Sequence, residues 1–228
     1  MTSISPRFKL ANIALAWVLG TLSTSAVMAS TASAQFKVTG AVVHTTVHDA
    51  TSLTLLTPTI QEVAYGSGAG PQSHTYIGTS LWGVLDGAGL VTKPQVKNDI
   101  LNRYVLATGS DGYKVVFSLG ELNPAFGRRP DLLAYAEQQA GGSWAPLGAD
   151  GFARVTAPGD VKGGRYVSNL VNLDVRASGS SQVGTGGGVS AQFTVSGQVK
   201  QSTTFDLEAL QASLPTVHQV VGAHTYTG

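Results

Sequence analysis

Short stretches in which apolar and polar residues alternate recur along the chain and predict a fold dominated by strands. The clearest lies at 171–176, where Val171, Leu173 and Val175 alternate with polar residues, as in a strand that buries one face. Other stretches rich in β-branched and aromatic residues are 36–43, 59–65, 73–78, 131–137 and 152–158, with two more inside 104–118. The stretches at 59–65 and 73–78 flank a glycine-rich turn, so we expect them to pair as a hairpin.

One helix is predicted at 79–90, because its apolar residues recur at helical spacing. These residues are Leu81, Val84, Leu85 and Ala88. Thr79 or Ser80 can cap the start of the helix, and Gly89 can follow its end. We therefore expect this helix to bury its apolar stripe against a sheet.

The first 34 residues have the layout of a secretory signal peptide. Arg7 and Lys9 precede an apolar run at 10–22, and small residues ending in Ala-Ser-Ala at 32–34 follow it. Cleavage after Ala34 predicts an exported protein, periplasmic or secreted, with no membrane span after the signal is removed. A retained anchor is the alternative, although the apolar run is shorter than the roughly 20 residues of a membrane span.

Composition excludes several classes of function. The 228 residues include 14 Lys or Arg and 13 Asp or Glu, a net charge of +1. Loss of the signal peptide removes two cations and no acid, so the charge becomes −1, without the basic excess that nucleic-acid binding needs. The chain has no cysteine, which excludes disulfides, thiolate metal sites and a cysteine nucleophile. Hydrolase motifs such as G-x-S-x-G and H-E-x-x-H do not occur.

Residues 177–190 have almost no apolar side chains and predict a Gly/Ser-rich linker. After them, earlier phrases return in the same order: 191–199 resembles 34–42, 215–221 resembles 58–64, and 224–228 resembles 74–78. We therefore expect one domain at 35–176 and a partial second copy of its first strands at 191–228. The chain is then either a fragment of a longer tandem-domain protein, or the short copy supplies strands to the first domain or to a partner. The first explanation is favoured, because a hairpin without its sheet is only marginally stable.

Several ordered motifs within 36–176 resemble the molybdopterin-binding domain of the sulfite-oxidase-like oxidoreductases, in the small exported branch of that superfamily. The motifs are YIGTSLWGVLDGAGL (76–90), LATGSDGYKVVFSLGELNPAFG (106–127), LLAYAE (132–137) and LGADGFARVTAPGDVKGGRYVSNLVNLDVR (147–176). The resemblance implies the α+β fold class, with β-rich mixed sheets and a few short helices. It also implies a buried pterin that carries molybdenum, and hence an oxidoreductase.

The chain departs from this family's pattern in two places. In the family a cysteine from the segment before the Y-x-G-x-x-L motif ligates molybdenum, whereas residues 59–81 contain none. Thiolate is the soft ligand suited to the metal, so the usual molybdenum chemistry is in doubt. Where the family shows Val-Lys-Trp, Ser168 and Asn169 follow Val167, so the resemblance implies that a lysine contact to the pterin phosphate is missing.

Five residues remain as candidates for binding a molybdopterin-type cofactor or an oxyanion. Arg154, Lys162 and Arg165 lie in a glycine-rich stretch and are suited to a phosphate, or else are solvated loop charges. His74 and Tyr76 recur in the second copy, which indicates either a structural role, the favoured alternative, or contact with a ligand.

A metal site at His44, His48 and Asp49 is a weaker hypothesis. The matching stretch of the second copy lacks both histidines, so we expect a surface loop there and no metal site. Two functions follow for the whole chain. One is an exported molybdopterin-dependent-oxidoreductase-like protein that binds a pterin or an oxyanion. The alternative is a non-catalytic binding or scaffold module that keeps only the fold.

Overall fold

The computed structural model describes residues 32–179 and 187–228. They belong to two units, the first ending at Ser178 and the second beginning at Gly179. Most of the predicted signal peptide, and residues 180–186 of the predicted linker, lie outside the described residues. Both assignments therefore stay predictions.

Strands make up most of the first unit. They are β1 (Gln35–Gly40), β2 (Thr46–Asp49), β3 (Thr59–Ser67), β4 (Gly70–Ser80), β5 (Arg103–Gly109), β6 (Lys114–Ser118), β7 (Leu132–Gln138), β8 (Trp144–Pro146), β9 (Arg154–Val155) and β10 (Leu170–Ala177). The helices are α1 (Ala50–Thr54), α2 (Leu81–Gly87) and α3 (Leu119–Leu122). Single 3₁₀ turns lie at Asp99–Asn102, Gly148–Asp150 and Gly163–Arg165.

These strands form two sheets, and the strand order differs from the order along the chain. The first sheet has the order β2-β1-β10-β5-β6, and the second has the order β3-β4-β7-β8, with β9 also paired to β7. The pair β1–β10 is parallel and the other pairs are antiparallel. The prediction of a β-rich α+β fold with mixed sheets and a few short helices is confirmed.

The core is formed by the alternating apolar positions of the strands together with α2. Leu173 and Val175 on β10 are buried, as their alternation predicts, and Leu81 and Leu85 of α2 belong to the same core. Ser80 caps α2 by accepting a hydrogen bond from a backbone N–H. The helix is shorter than predicted at its start, because residues 79 and 80 still pair with β7.

Two predictions about local structure were wrong. Residues 46–49 form β2 rather than a surface loop, because they pair with β1 and the His48 ring stacks on Phe36, with 5.2 Å between the ring centroids. The strand predicted at 152–158 shrinks to the two residues of β9. Pro158 has no N–H for a ladder and Gly159 adopts a positive φ of 84°, so the chain turns away there.

The second unit contains β11 (Gln192–Val195), β12 (Thr203–Asp206), α4 (Leu207–Ser213), β13 (His218–Val221) and β14 (His224–Thr227). Its strands form two separate antiparallel ribbons, β11–β12 and β13–β14. Within 187–228, no residue is buried. In the described parts of the chain, no helix is both long and apolar enough to cross a membrane.

Candidate functional site

The β3–β4 hairpin places three rings on one face of the second sheet. His74 and Tyr76 lie two residues apart on β4, so their side chains leave the strand on the same side. His74 is paired with Val63, which makes Tyr65 its diagonal neighbour on β3. Alternation along β4 thus sets the first pair of rings, and the hairpin register adds the third.

Tyr166 extends these rings into a stack of four. The His74 centroid lies 5.4 Å from that of Tyr76 and 5.7 Å from that of Tyr65, and the planes are inclined by 16° and 22°. The Tyr166 centroid is 4.2 Å from that of Tyr65. His74 Nδ1 also lies 2.6 Å from Glu137 Oε1 on the adjacent strand β7, and this contact orients the imidazole.

Arg154 on β9 contacts two rings of the stack. Its guanidinium carbon is 5.7 Å from the Tyr76 centroid and 5.4 Å from the Tyr166 centroid, which is a cation–π geometry. Its Nη1 donates hydrogen bonds to Tyr76 Oη at 3.0 Å and to Asp150 Oδ2 at 2.5 Å. Arg154 and the four rings together form an aromatic–arginine cluster, which consists of Tyr65, His74, Tyr76, Arg154 and Tyr166.

Asp150 compensates the charge of Arg154 inside the protein. Its Oδ1 accepts a hydrogen bond from Ser168 Oγ at 2.6 Å, and its carbonyl oxygen accepts one from the Asn169 N–H at 2.6 Å. Ser168 and Asn169 stand where the resemblance implies Lys-Trp. Ser168 orients the carboxylate that pairs with Arg154, and Asn169 holds the backbone of Asp150.

Burial raises the pKa of two hydroxyls of the cluster further above physiological pH. Desolvation raises the pKa of Tyr76 above its ordinary value, although the charge of Arg154 acts in the opposite direction. Desolvation, with a smaller contribution from Tyr65, also raises the pKa of Tyr166 to about 12. Both side chains therefore act as neutral hydrogen-bonding groups at physiological pH.

A cavity of about 610 Å³ adjoins the cluster. It is lined by the end of the β3–β4 hairpin (65–69 and Gln72), by Arg154, and by residues 162–164. Its volume is typical of small-molecule sites. Lys162 is exposed, and among the described residues no carboxylate forms an ion pair with it. The cavity therefore has an ammonium group whose charge is not compensated by any carboxylate of residues 32–179 or 187–228.

Close approaches between two segments shape the wall of this cavity. The Gly66 N–H donates a hydrogen bond to the Val161 carbonyl at 2.9 Å, which ties the end of β3 to the glycine-rich segment. A Cβ atom at Gly163 would lie 2.7 Å from two ring carbons of Tyr65, so a larger residue would push the backbone off the ring. Gly163 is therefore needed for the close packing of this segment against the Tyr65 ring.

Two buried polar atoms of the cluster, Arg154 Nε and Tyr166 Oη, lack hydrogen-bond partners within the described part of the chain. An unsatisfied buried donor costs about 1–3 kcal/mol. Arg154 is also one of the residues that line the cavity.

Arg165 belongs to a different network and is not among the cavity-lining residues. Its Nε and Nη2 donate to the two carboxylate oxygens of Asp160 at 2.7 Å and 2.6 Å. These hydrogen bonds lower the pKa of Asp160 and raise that of Arg165. Arg129 Nη2 donates to the same carboxylate at 3.2 Å, and Glu121 lies 3.6 Å from Arg165.

Asp131 is a buried carboxylate beside this network. It is 1% exposed, its oxygens have no hydrogen-bond partner within the described residues, and Arg129 Nε is 3.5 Å away. Desolvation raises the pKa of Asp131 to about 6, and the charges of Arg129 and Arg165 oppose that rise. Asp131 was missed from the sequence, because an acid at the start of a predicted strand carries no sign of burial.

Four of the five residues selected from the sequence belong to the cluster or line the cavity: His74, Tyr76, Arg154 and Lys162. Tyr65, Tyr166 and Asp150 were missed. Tyr65 could have been found, because it alternates with Val63 along a predicted strand that pairs with the His74 strand. Asp150 could not, because its contact with Arg154 depends on the turn between β8 and β9.

The residues present do not fit molybdenum. The whole chain lacks cysteine, so 59–81 offers only nitrogen and oxygen donors. No group of three or more His, Cys, Asp or Glu side chains in the described ranges could hold a metal ion. His48 lies 3.0 Å from Thr46 Oγ1, and desolvation lowers its pKa, although Asp49 opposes this change.

Comparison with known proteins yields a structural likeness. Neither a family model nor a curated protein matches this sequence. The crystal structure of the sulfane dehydrogenase SoxCD from Paracoccus pantotrophus matches 64% of this chain, with a TM-score of 0.50 and 18% sequence identity. The match supports a sulfite-oxidase-like fold. It covers 39% of the SoxCD chain, and at this identity it shows the fold alone.

Proposed function

We propose that residues 35–176 form an exported sulfite-oxidase-like domain that binds a pterin phosphate, or a similar anionic aromatic compound, in the cavity beside the aromatic–arginine cluster. The observation that carries this proposal is the pairing of two cations on one cavity. Lys162 lacks a carboxylate partner among the described residues, and the guanidinium of Arg154 belongs to the lining of the same cavity. Phosphate oxygens are strong acceptors for both donors.

Tyr65 supports the aromatic part of the ligand. Its half-buried ring lines the cavity and is held from the protein side by His74 and Tyr166. Aromatic side chains contact planar heterocycles by offset stacking. The cavity therefore combines an aromatic surface with cations, which are the two features that a phosphorylated pterin requires.

The proposed activity is binding without molybdenum redox chemistry. The family resemblance implies an oxidoreductase, but the soft thiolate ligand that this chemistry uses is absent from the sequence. The domain would then be oxidoreductase-like in ancestry and a ligand-binding module in activity. Its location in the periplasm or outside the cell rests on the signal-peptide pattern at 1–34.

A scaffold module without a ligand is the second candidate. It is favoured by the internal compensation of charge, since Asp150 pairs with Arg154 and Asp160 pairs with Arg165. A domain whose cations are used in this way needs no anion for its own stability. This candidate predicts that no phosphate compound binds.

Calorimetric titration of the purified protein with three probes separates these functions. The probes are a phosphorylated pterin, the same pterin without phosphate, and inorganic phosphate. The proposal predicts that the phosphorylated pterin binds most tightly. Equal affinity for inorganic phosphate would indicate an oxyanion site alone, and no binding of any probe would support the scaffold.

Replacing Lys162 with alanine tests the site itself. Loss of one charge-assisted contact is expected to weaken binding of the phosphorylated pterin about tenfold, or about 1.4 kcal/mol. Lys97→Ala is the matched control, because it removes the same charge from an exposed lysine outside the cavity lining. Equal affinities of the two variants would remove the site assignment.

A further inference from the structure

One wall of the cavity is a short segment that ionic contacts hold in place. This cavity-wall segment is 158–165, and residues 162–164 of it line the cavity. Arg165 donates two hydrogen bonds to Asp160, so an ion pair closes the turn that contains the lining residues. Gly163 in this turn packs on a ring of the aromatic–arginine cluster. The position of the wall therefore depends on how Asp160 is held by the rest of the domain.

Arg129, in the stretch that leads into β7, anchors the cavity-wall segment. Its Nη2 donates to the Pro158 carbonyl oxygen at 2.8 Å and to Asp160 Oδ1 at 3.2 Å. The second distance is long for a charge-assisted hydrogen bond, which usually measures about 2.7–2.9 Å. Nε of the same guanidinium is buried and has no acceptor within the described ranges 32–179 and 187–228. Both anchoring hydrogen bonds therefore come from one nitrogen, and a second nitrogen is left unsatisfied.

Asp131 carries the acceptor that Arg129 Nε lacks. Its side chain is fully buried, and neither carboxyl oxygen has a hydrogen-bond partner in the described part of the chain. Oδ1 lies 3.5 Å from Arg129 Nε, roughly 0.7 Å beyond the usual length of a charge-assisted hydrogen bond. A buried carboxyl group without partners costs least when it is neutral. The observed geometry is therefore that of a protonated Asp131, close to a hydrogen bond with Arg129 that ionisation would complete.

The charges around Asp131 lie on its own stretch, on the cavity-wall segment and on α3. They are Arg129, then Asp160 and Arg165, and then Glu121, which is 3.6 Å from Arg165. The other elements that bond to this stretch do so through neutral groups, namely Gln61 of β3, the Leu81 N–H of α2 and Thr156. Desolvation raises the pKa of Asp131 to about 6, the two arginines oppose the rise, and Asp160 adds to it. Asp131 therefore ionises in a mildly acidic range.

We propose that Asp131 is a pH-sensitive switch that sets how firmly the cavity-wall segment is held. While Asp131 is protonated, Arg129 stays bonded to Pro158 and Asp160, and the wall is fixed. When Asp131 loses its proton to solvent, its carboxylate draws Arg129 Nε into a hydrogen bond, and the long contact with Asp160 breaks. The cavity-wall segment then keeps its internal ion pair but loses its ionic anchor, so residues 162–164 become more mobile.

The consequence of this switch for ligand binding rests on the proposed function. Lys162 belongs to the cavity-wall segment, so a mobile wall presents its ammonium group to a phosphate less precisely. Ionised Asp131 also adds a negative charge to the network that holds the wall. Both effects weaken the binding of an anionic ligand as the pH rises through about 6.

NMR spectroscopy of the protein without added ligand tests the switch by itself. In the wild type, the Nε–Hε signal of Arg129 is expected to titrate with a midpoint at about pH 6, as the hydrogen bond forms. The heteronuclear ¹H–¹⁵N NOE of amides 161–164 should fall between pH 4 and pH 7, whereas amides of β5 in the first sheet keep theirs. Asp131→Asn should show neither change. Asp86→Asn is the matched control, because it removes an exposed acid of α2, and it should behave like the wild type.

Calorimetric titration with the phosphorylated pterin then measures the consequence for the site. Because the phosphate itself titrates at about pH 6, the wild type is compared with Asp131→Asn at each pH. The two should bind equally at pH 5, and the variant should bind at least about fivefold more tightly at pH 7.

Two results distinguish the switch from the proposed function. If the Arg129 signal or the wall amides of the wild type do not respond to pH, or respond equally in Asp131→Asn, the switch is overturned. If they respond as expected and neither protein binds the pterin at either pH, the switch is supported and the proposed function fails.

Discussion

Arg154 keeps its charge in a buried position because two kinds of contact replace water. Asp150 provides an ion pair, and the rings of Tyr76 and Tyr166 provide cation–π contacts. Arg154→Ala would remove these cation–π contacts and leave the Asp150 carboxylate, which is 32% exposed, without its cation. The variant therefore changes the stability of the cluster as well as the cavity, and Lys162 is the better residue for measuring ligand binding.

Asp131 is expected to make stability depend on pH in a defined window. Its pKa is about 6 in the folded chain, against an ordinary value of 3.8, so the folded state holds a proton that the unfolded state releases. The contribution of protonated Asp131 to the free energy of unfolding is fully present below pH 4 and is lost as the pH rises to 6. Asp131→Asn does not titrate. The free energy of unfolding of Asp131→Asn minus that of the wild type should therefore increase by about 2–3 kcal/mol between pH 4 and pH 7.

Urea unfolding at several pH values measures this difference. Asp160→Asn provides a contrast. Because the Asp160 pKa is lowered, this carboxylate stabilises the folded state above its ordinary pKa, and the contribution is lost only as the pH falls below that value. A difference between Asp131→Asn and the wild type that stays constant from pH 4 to pH 7 would contradict the account.

At the scale of elements, the backbones of β4 and β7 approach each other closely in the second sheet. The β4–β7 register shifts between Ile77 and Gly78, and a Cβ atom at Gly78 would lie 2.4 Å from the Leu133 carbonyl oxygen. Both strands carry residues that orient the cluster, since His74 on β4 contacts Glu137 on β7. A change in the distance between β4 and β7 would therefore also move His74 relative to Glu137.

Gly78→Ala should destabilise the domain by at least about 2 kcal/mol, because backbone atoms rather than a flexible side chain occupy the space for the new methyl group. Gly87→Ala is the matched control. A Cβ at that position in α2 meets nothing within 4 Å, and alanine favours helix by up to about 1 kcal/mol. Thermal denaturation of both variants measures the difference, and equal melting temperatures would show that the β4–β7 approach is looser than described.

Local patterns and long-range pairings differ in how far the sequence reveals them. Alternation predicted β10 and the hairpin β3–β4, and helical spacing with Ser80 predicted α2, since each depends on neighbours in the chain. The parallel pairing of β1 with β10 joins residues more than 130 positions apart, and no local pattern indicates it. For the same reason Tyr166 was missed, because its contact with Tyr65 joins two distant segments.

For the whole molecule, the two units differ in how far their side chains are buried. The first has a buried core, and its cavity carries cations and an aromatic surface on one side of the second sheet. The second has the corresponding first strands with their apolar face exposed. The first unit is therefore proposed to bind a small anionic ligand.

The most direct test of ligand binding uses protein purified from a host that makes molybdopterin. Pterin is measured by fluorescence after oxidation, and molybdenum by elemental analysis, in the wild type, Lys162→Ala and Lys97→Ala. The account predicts pterin in the wild type and in Lys97→Ala, and about tenfold less in Lys162→Ala. Absence of pterin from the wild-type protein would contradict the account, whether or not molybdenum is found.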